Sequence, residues 1–275
     1  MTKIALFQST TGIDPEANAR ALEQAIAEAA RGGAEMLFTP EMSGLLDRDS
    51  SRAAKNLRPE QEDKVLAACR EAARRHQIWL HLGSLAVLSE DGKLANRGFV
   101  VDREGEIRAR YDKLHLFDVD LPTGESWRES NVYSPGSGVV LVNGTPVGKL
   151  GLTICYDLRF PGLFARLAEA DADVIAVPAA FTVPTGKAHW HILLRARAIE
   201  AGLFVVAAAQ VGQHEDGRQT FGHSLVIDPW GDVLLDMGEE PRVAFAEIDL
   251  KRISDVRSRI PALSHRRFIP EAVTL

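Results

Sequence analysis

The chain has 275 residues, of which 45% are hydrophobic and 25% charged, and carries a formal net charge of −6. That supplies apolar material for one large core or two small ones. The scattered lysines and arginines form no basic stripe for nucleic acid, no apolar run reaches membrane length, and two cysteines make no disulfide framework. The start, Met-Thr-Lys-Ile-Ala-Leu-Phe-Gln, is too short in apolar residues for a signal peptide. The expected location is cytoplasmic.

The first elements alternate. Lys3 to Gln8 reads as a strand. Asp14 is an N-cap before an N1 proline, Pro15, and Leu22, Ala25, Ile26 and Ala29 recur at helical spacing until Gly32-Gly33. Met36 to Thr39 is the next strand and stops at Pro40-Glu41. A helix is predicted from about Pro59 to His76, with Cys69 on its apolar face, and a strand from Ile78 to Leu85. In the second half, Leu163 to Ala170 and Ala188 to Ala201 read as helices. Val174 to Val177 and Leu203 to Gln210 read as strands. From Ile260 the sequence is irregular, and the tail around Ser264-His265-Arg266-Arg267-Phe268 suits either a neighbouring subunit or solvent.

A weak internal repeat organises these pieces. The segment from Phe99 to Ile107 and the segment from Leu225 to Val233 each give an apolar strand, an Asp-x-x-Gly turn and a returning strand. Each follows a series of alternating strands and helices. Two similar sheets are therefore expected, facing each other in a four-layer α-β-β-α sandwich with helices outside. No linker separates the halves, so residues 1–275 are read as a single domain.

Chemistry concentrates at three strand ends. Cys155 follows the apolar run Leu150-Gly151-Leu152-Thr153-Ile154, read as a buried strand, and precedes a sharp exit toward Pro161. The N–H groups of the coming helix would lower a thiol pKa there. On the turn alone, a nucleophile and a buried structural cysteine are equally compatible. Glu41 follows the second strand. Lys113 lies among apolar and aromatic neighbours in Tyr111-Asp112-Lys113-Leu114-His115-Leu116-Phe117, so it needs a counter-charge, which Glu41 or Glu129 would supply. A thiol nucleophile, a carboxylate acting as general base and acid, and a cation for a developing oxyanion, from three strand ends, suit one reaction. Tyr156 would add its backbone N–H to the oxyanion. Arg159, four residues past the thiol, suits either a substrate carboxylate or an ion pair to Asp157 or another acid.

Pro40-Glu41, Tyr111 to Phe117 and Cys155-Tyr156-Asp157-Leu158-Arg159-Phe160-Pro161 resemble the Glu-Lys-Cys segments of the nitrilase, or carbon–nitrogen hydrolase, superfamily. The resemblance covers nearly the whole chain. Its Nit branch fits best, on Pro178-Ala179-Ala180-Phe181-Thr182, Thr185-Gly186-Lys187-Ala188-His189-Trp190, Gly222-His223-Ser224 and Asp228-Pro229-Trp230-Gly231. It implies the same α/β sandwich and Glu129 as a second glutamate that hydrogen-bonds Lys113. It also implies a pocket including Tyr156, Arg159, Phe181 and Thr182, no cofactor, and a homodimer or larger homo-oligomer packed through the helices after Cys155. The implied reaction is hydrolysis of a small ω-amide of a 2-oxo acid through a thioester, with deaminated glutathione foremost. 2-Oxoglutaramate and a carbamoyl amine are the alternatives in class, and an inactive scaffold is the alternative outside it. One departure is visible: the branch usually reads His-Trp-Glu where this chain has His189-Trp190-His191. His189 and His191, two apart on a helix, point to different sides and cannot share a metal. Cysteines and histidines show no zinc spacing, and the loop from Gly144 to Leu150 is one residue short of a phosphate loop.

Overall fold

A computed structural model describes residues 1–89, 92–120, 124, 126–272 and 274. Its first half contains β1 (Thr2–Gln8), α1 (Pro15–Arg31), β2 (Met36–Phe38), α2 (Ser50–Ala53), α3 (Lys64–His76), β3 (Trp79–Leu88), β4 (Leu94–Val101) and β5 (Ile107–Asp112). A small hairpin of β6 (Asp118–Asp120) and β7 (Ser126–Arg128) follows, then β8 (Leu141–Thr145) and β9 (Gly148–Leu152). The remainder is α4 (Pro161–Glu169), β10 (Val174–Ala176), α5 (Val183–Ala201), β11 (Phe204–Ala207), β12 (Val211–Gln213), β13 (Gln219–Phe221), β14 (Leu225–Ile227), β15 (Val233–Asp236), β16 (Arg242–Ile248) and α6 (Lys251–Arg259).

Two six-stranded sheets result, in the orders β16-β1-β2-β3-β4-β5 and β15-β14-β11-β10-β9-β8. Each has three central parallel strands flanked by antiparallel ones. The two hairpins read as a repeat close with the same turn. Asp102 Oδ1 accepts from the N–H groups of Glu104 and Glu106 at 3.0 and 2.9 Å. Asp228 Oδ1 accepts from Trp230 and Asp232 at 2.8 and 2.9 Å. Gly105 and Gly231 take the left-handed position in each, with φ of 79° and 92°.

Strand alternation sorts the core into layers. Ile4, Leu6, Met36 and Phe38 face the second sheet and join one cluster with Leu150, Leu152, Val174 and Val205. Their neighbours Ala5 and Leu37 face the other way, onto Leu22, Ile26, Leu66 and Cys69 of α1 and α3. Leu163, Phe164, Leu167, Trp190 and Leu194 of α4 and α5 cover the outer face of the second sheet. The layers run helix, sheet, sheet, helix, as expected.

Several boundaries differ from the sequence reading, each for a local reason. The predicted helix from Pro59 splits into a 3₁₀ turn, Glu60–Glu62, and α3, because the Asp63 side chain caps the new start by accepting from Leu66 N–H at 2.8 Å. Helix α5 begins at Val183, not Ala188. Pro184 suits its first turn, and Gly186 lets the Phe221 ring pack on the helix, since an added Cβ would meet that ring at 2.2 Å. The strand before Cys155 ends at Leu152, two residues early, whereas the exit toward Pro161 is as read: Cys155–Arg159 forms a 3₁₀ turn and α4 begins at Pro161. The reading passed over α6. In the tail, Arg266 donates to Ala165 O on α4 of its own chain at 3.2 Å, and Phe268 is exposed.

Candidate active site

Three chain crossings meet at the ends of the parallel strands, where open α/β sheets place their ligands. After β2 the chain turns through Thr39-Pro40 and buries Glu41. Gly83 on β3 permits that turn, for a Cβ there would lie 2.2 Å from Thr39 O and 2.4 Å from Pro40 O. Lys113 follows β5 and is buried. Cys155 follows β9 in a left-handed conformation, φ 50°, a strained setting for a non-glycine residue. Its N–H donates to Pro178 O at 2.9 Å.

The Lys113 ammonium donates to Glu41 Oε1 at 3.0 Å and to Glu129 Oε1 and Oε2 at 3.1 and 2.9 Å. Both glutamates proposed as counter-charges therefore serve. Glu41 Oε2 accepts from Ala180 N–H at 2.9 Å, and the Cys155 thiol donates to the same carboxylate. Asn96 joins the two glutamates, donating to Glu41 Oε1 at 2.9 Å and Glu129 Oε1 at 3.2 Å. Glu129 also accepts from Phe117 N–H at 2.6 Å.

Burial, neighbouring charges and hydrogen bonds together set the protonation states. Burial raises the Glu41 pKa, but the Lys113 charge and hydrogen bonds from Cys155, Lys113 and Asn96 outweigh it and hold the group below 4.5. Burial acts against the Lys113 charge, yet Glu129 and Glu41 keep the ammonium charged well past its ordinary range. The thiol goes the other way from the expectation. Burial first, then the Glu41 charge, push Cys155 well above 9.0, and neither Lys113 nor the Ala180 N–H reverses this. The turn places Cys155 as foreseen but does not acidify it, because removal from water and a neighbouring anion exceed the pull of a few N–H dipoles. The resting site holds a carboxylate, an ammonium and a neutral thiol.

Asp157, fully buried, ties the thiol's turn to the segment carrying Lys113. It accepts from Ile154 N–H at 2.9 Å, Tyr111 OH at 2.7 Å and His115 N–H at 3.0 Å, and its Oδ1 lies 2.7 Å from His115 Nδ1. The Arg197 guanidinium anchors the turn from behind, donating to Leu158 O at 3.1 and 2.9 Å. Among the described residues, no acceptor takes the Tyr156 N–H.

Above the thiol lies a cavity of about 320 Å³. Glu41, Lys113, Glu129 and Cys155 line it, as do Tyr156, Arg159, Phe181 and Thr182, all named from sequence. Arg159 does not pair with Asp157, whose oxygens are taken. Its guanidinium lies 3.3 Å from His189 Nδ1 and over the Tyr156 and Phe181 rings, and no carboxylate among the described residues pairs with it. The sequence reading missed Asn96, Trp127, Arg48 and Arg218. The guanidiniums of Arg48 and Arg218 each lie over the Trp127 ring, 5.0 and 5.1 Å from its centroid. None of these has a sequence signal, since each depends on a loop meeting a distant strand.

Comparison with known proteins agrees with this geometry. The carbon–nitrogen hydrolase family model matches residues 3–258. A deaminated glutathione amidase of Yersinia enterocolitica is 39% identical over 276 residues, covering 98% of this chain and 94% of that protein. The structure of Caenorhabditis elegans NitFhit superposes with a TM-score of 0.89 at 40% identity, covering 97% of this chain, which spans 65% of the length of that protein. The structure of Saccharomyces cerevisiae Nit3, a member of branch 10 of the nitrilase superfamily, gives 0.86 at 27% identity and covers 97% of both chains. The chain thus belongs to the carbon–nitrogen hydrolase family, within the nitrilase superfamily.

Proposed function

We propose that this chain, acting as one domain, is a cysteine amidase whose substrate is deaminated glutathione. The observation that carries the reaction is the meeting of Cys155 with a buried Glu41, itself paired with Lys113 at 3.0 Å, in the lining of one cavity.

Glu41 takes the thiol proton as Sγ attacks the amide carbon. The carbonyl oxygen becomes an oxyanion held by the Lys113 ammonium and the Tyr156 N–H, and one such donor is worth about 3–4 kcal/mol in the barrier. The intermediate collapses, the C–N bond breaks, and Glu41 returns its proton to the leaving amine. A thioester remains on Cys155. Water then attacks the thioester carbon and gives its proton to Glu41. Collapse releases the acid, and the departing sulfur takes that proton back. Glu129 acts by holding Lys113 in place, and Asn96 fixes both glutamates.

The substrate reading rests on the names of the relatives and on charge. Deaminated glutathione carries a carboxylate at each end, and its hydrolysis gives 2-oxoglutarate and cysteinylglycine. Arg159 inside the cavity and exposed Arg48 at its rim have no carboxylate partner among the described residues, and both face the space above the thiol. A homo-oligomer is supported by an apolar stripe on α5 and the adjoining hairpin, where Ile192, Ile199, Trp230 and Leu234 are exposed. No helix among the described residues is long and apolar enough to cross a membrane.

The test compares hydrolysis of deaminated glutathione, 2-oxoglutaramate and a carbamoyl amino acid, with a Cys155→Ala control. The expected result is preference for the first, no turnover by the variant, and an acyl mass on Cys155 in intact-protein spectra of the wild type. Comparable rates on all three would refute the substrate, and normal turnover by Cys155→Ala would refute the mechanism.

A further inference from the structure

A second cluster of functional side chains lies apart from the cavity. His191 on α5, His223 in the link between β13 and β14, and Asp236 at the end of β15 each bring a ligand atom within 4.8 Å of the other two. His191 Nε2 lies 2.9 Å from Asp236 Oδ2, and His223 Nδ1 lies 2.8 Å from Asp236 Oδ1. None of the three lines the cavity of Cys155.

The cluster is held by the fold. His223 adopts φ 52°, a conformation costly for a non-glycine residue. It is clamped from both sides, since its N–H donates to Gly238 O at 2.8 Å and its carbonyl accepts from Trp190 Nε1 at 2.7 Å. The Phe221 ring stacks on the His223 ring at 4.5 Å and 23°. Asp236 Oδ1 also accepts from Gly238 N–H at 2.9 Å, which fixes the carboxylate. The far nitrogen, His223 Nε2, faces Glu239 at 4.0 Å. A histidine with one nitrogen toward the cluster and the other toward a carboxylate has the arrangement that orients metal ligands.

We propose that His191, His223 and Asp236 bind one divalent transition-metal ion of the zinc class. His191 Nε2, His223 Nδ1 and one Asp236 oxygen would be the ligands, with water completing the tetrahedron. Ligand atoms around such an ion stand about 3.3 Å apart, so the two His–Asp contacts open by a few tenths of an ångström, and the two histidine nitrogens, within 4.8 Å of each other, draw together around the ion. The ring protons move to the opposite nitrogens, and His223 then directs its N–H at Glu239. Two imidazoles and one carboxylate select zinc, cobalt, nickel or copper over magnesium or calcium. The ion would cross-link α5 to the β13–β14 link and to β15. It takes no part in the reaction at Cys155. The inference departs from the expectation that the chain binds no metal.

The test titrates Zn²⁺ into the Cys155→Ser chain by calorimetry, so that the nucleophilic thiol cannot be the ligand, and follows thermal unfolding alongside. One ion per chain is expected, with Co²⁺ giving a tetrahedral visible spectrum. His191→Ala, His223→Asn and Asp236→Asn should each weaken binding by more than about tenfold and remove the Zn²⁺-dependent rise in Tm. Asn is chosen at 223 because it tolerates the left-handed backbone. Absence of binding, or equal affinity in all three folded variants, would overturn the site.

Discussion

Removing the positive charge at Lys113 would leave the buried Glu41 and the partly buried Glu129 carboxylates facing each other without a counter-ion. Lys113→Met should therefore cost about 3–5 kcal/mol of stability, read from urea unfolding, as well as activity. The same pairing sets the pH response. Glu41 has its folded pKa lowered, so its contribution to stability is full above 4.5 and is lost as pH falls through the folded value. Lys113 has its pKa raised, so its contribution is full below 10.5 and is lost as pH rises through the folded value. Between these limits the neutral thiol and ionised Glu41 persist, because Cys155 titrates well above 9.0. kcat/KM should stay level from about pH 6 to 8.5. A tenfold rise per pH unit across that range would mean attack by free thiolate and would contradict Glu41 as the base. At this scale the residue types were legible: Glu41, Lys113 and Cys155 stood out as base, cation and nucleophile, with Glu129 as a second possible counter-charge. The thiol's protonation was not, since it depends on burial and on the distance to Glu41.

At the scale of elements, the site depends on how closely backbones pass. Gly83 lies where β3 meets the Thr39-Pro40 turn, and Pro178 also approaches it, with Cβ 2.6 Å from the position an added Cβ would take. Gly83→Ala should cost about 1–3 kcal/mol by overpacking. It should also lower kcat, because the displaced backbone carries Glu41 directly. Denaturant midpoints and steady-state rates measured together check both effects, and unchanged kcat in a destabilised variant would show that Glu41 is held independently of Gly83. The repeated hairpins show what element-level reading can deliver. An Asp followed three residues later by Gly predicts a turn because the carboxylate must accept two N–H groups and the glycine must take positive φ, and both turns do this. The start of α5 was missed because it rests on a distant contact, the Phe221 ring packed against Gly186.

For the whole molecule, two halves of similar topology stack face to face, and the catalytic groups come from both. Glu41 and Lys113 follow strands of the first sheet, and Cys155 follows one of the second. The outer helix α5 then presents Ile192, 70% exposed, to solvent. If this stripe joins copies of the chain, Ile192→Glu should shift the species seen by light scattering at micromolar concentration toward monomer without unfolding it. A wild-type chain that is already monomeric would remove the basis for this.

Taken alone, the sequence determined the periodicities, the turn chemistry, the duplicated order of strands and the residue types of the Glu-Lys-Cys set, because these are written in local spacing. The tertiary structure decided what depends on contacts across more than 30 positions. Asn96 bridging Glu41 and Glu129 is one case, and Asp157 bonding Tyr111 and His115 instead of Arg159 is another. The meeting of His191 with His223 and Asp236 is a third. Spacing along the chain specifies which face a side chain takes, but only packing brings two distant faces together and removes the water between them.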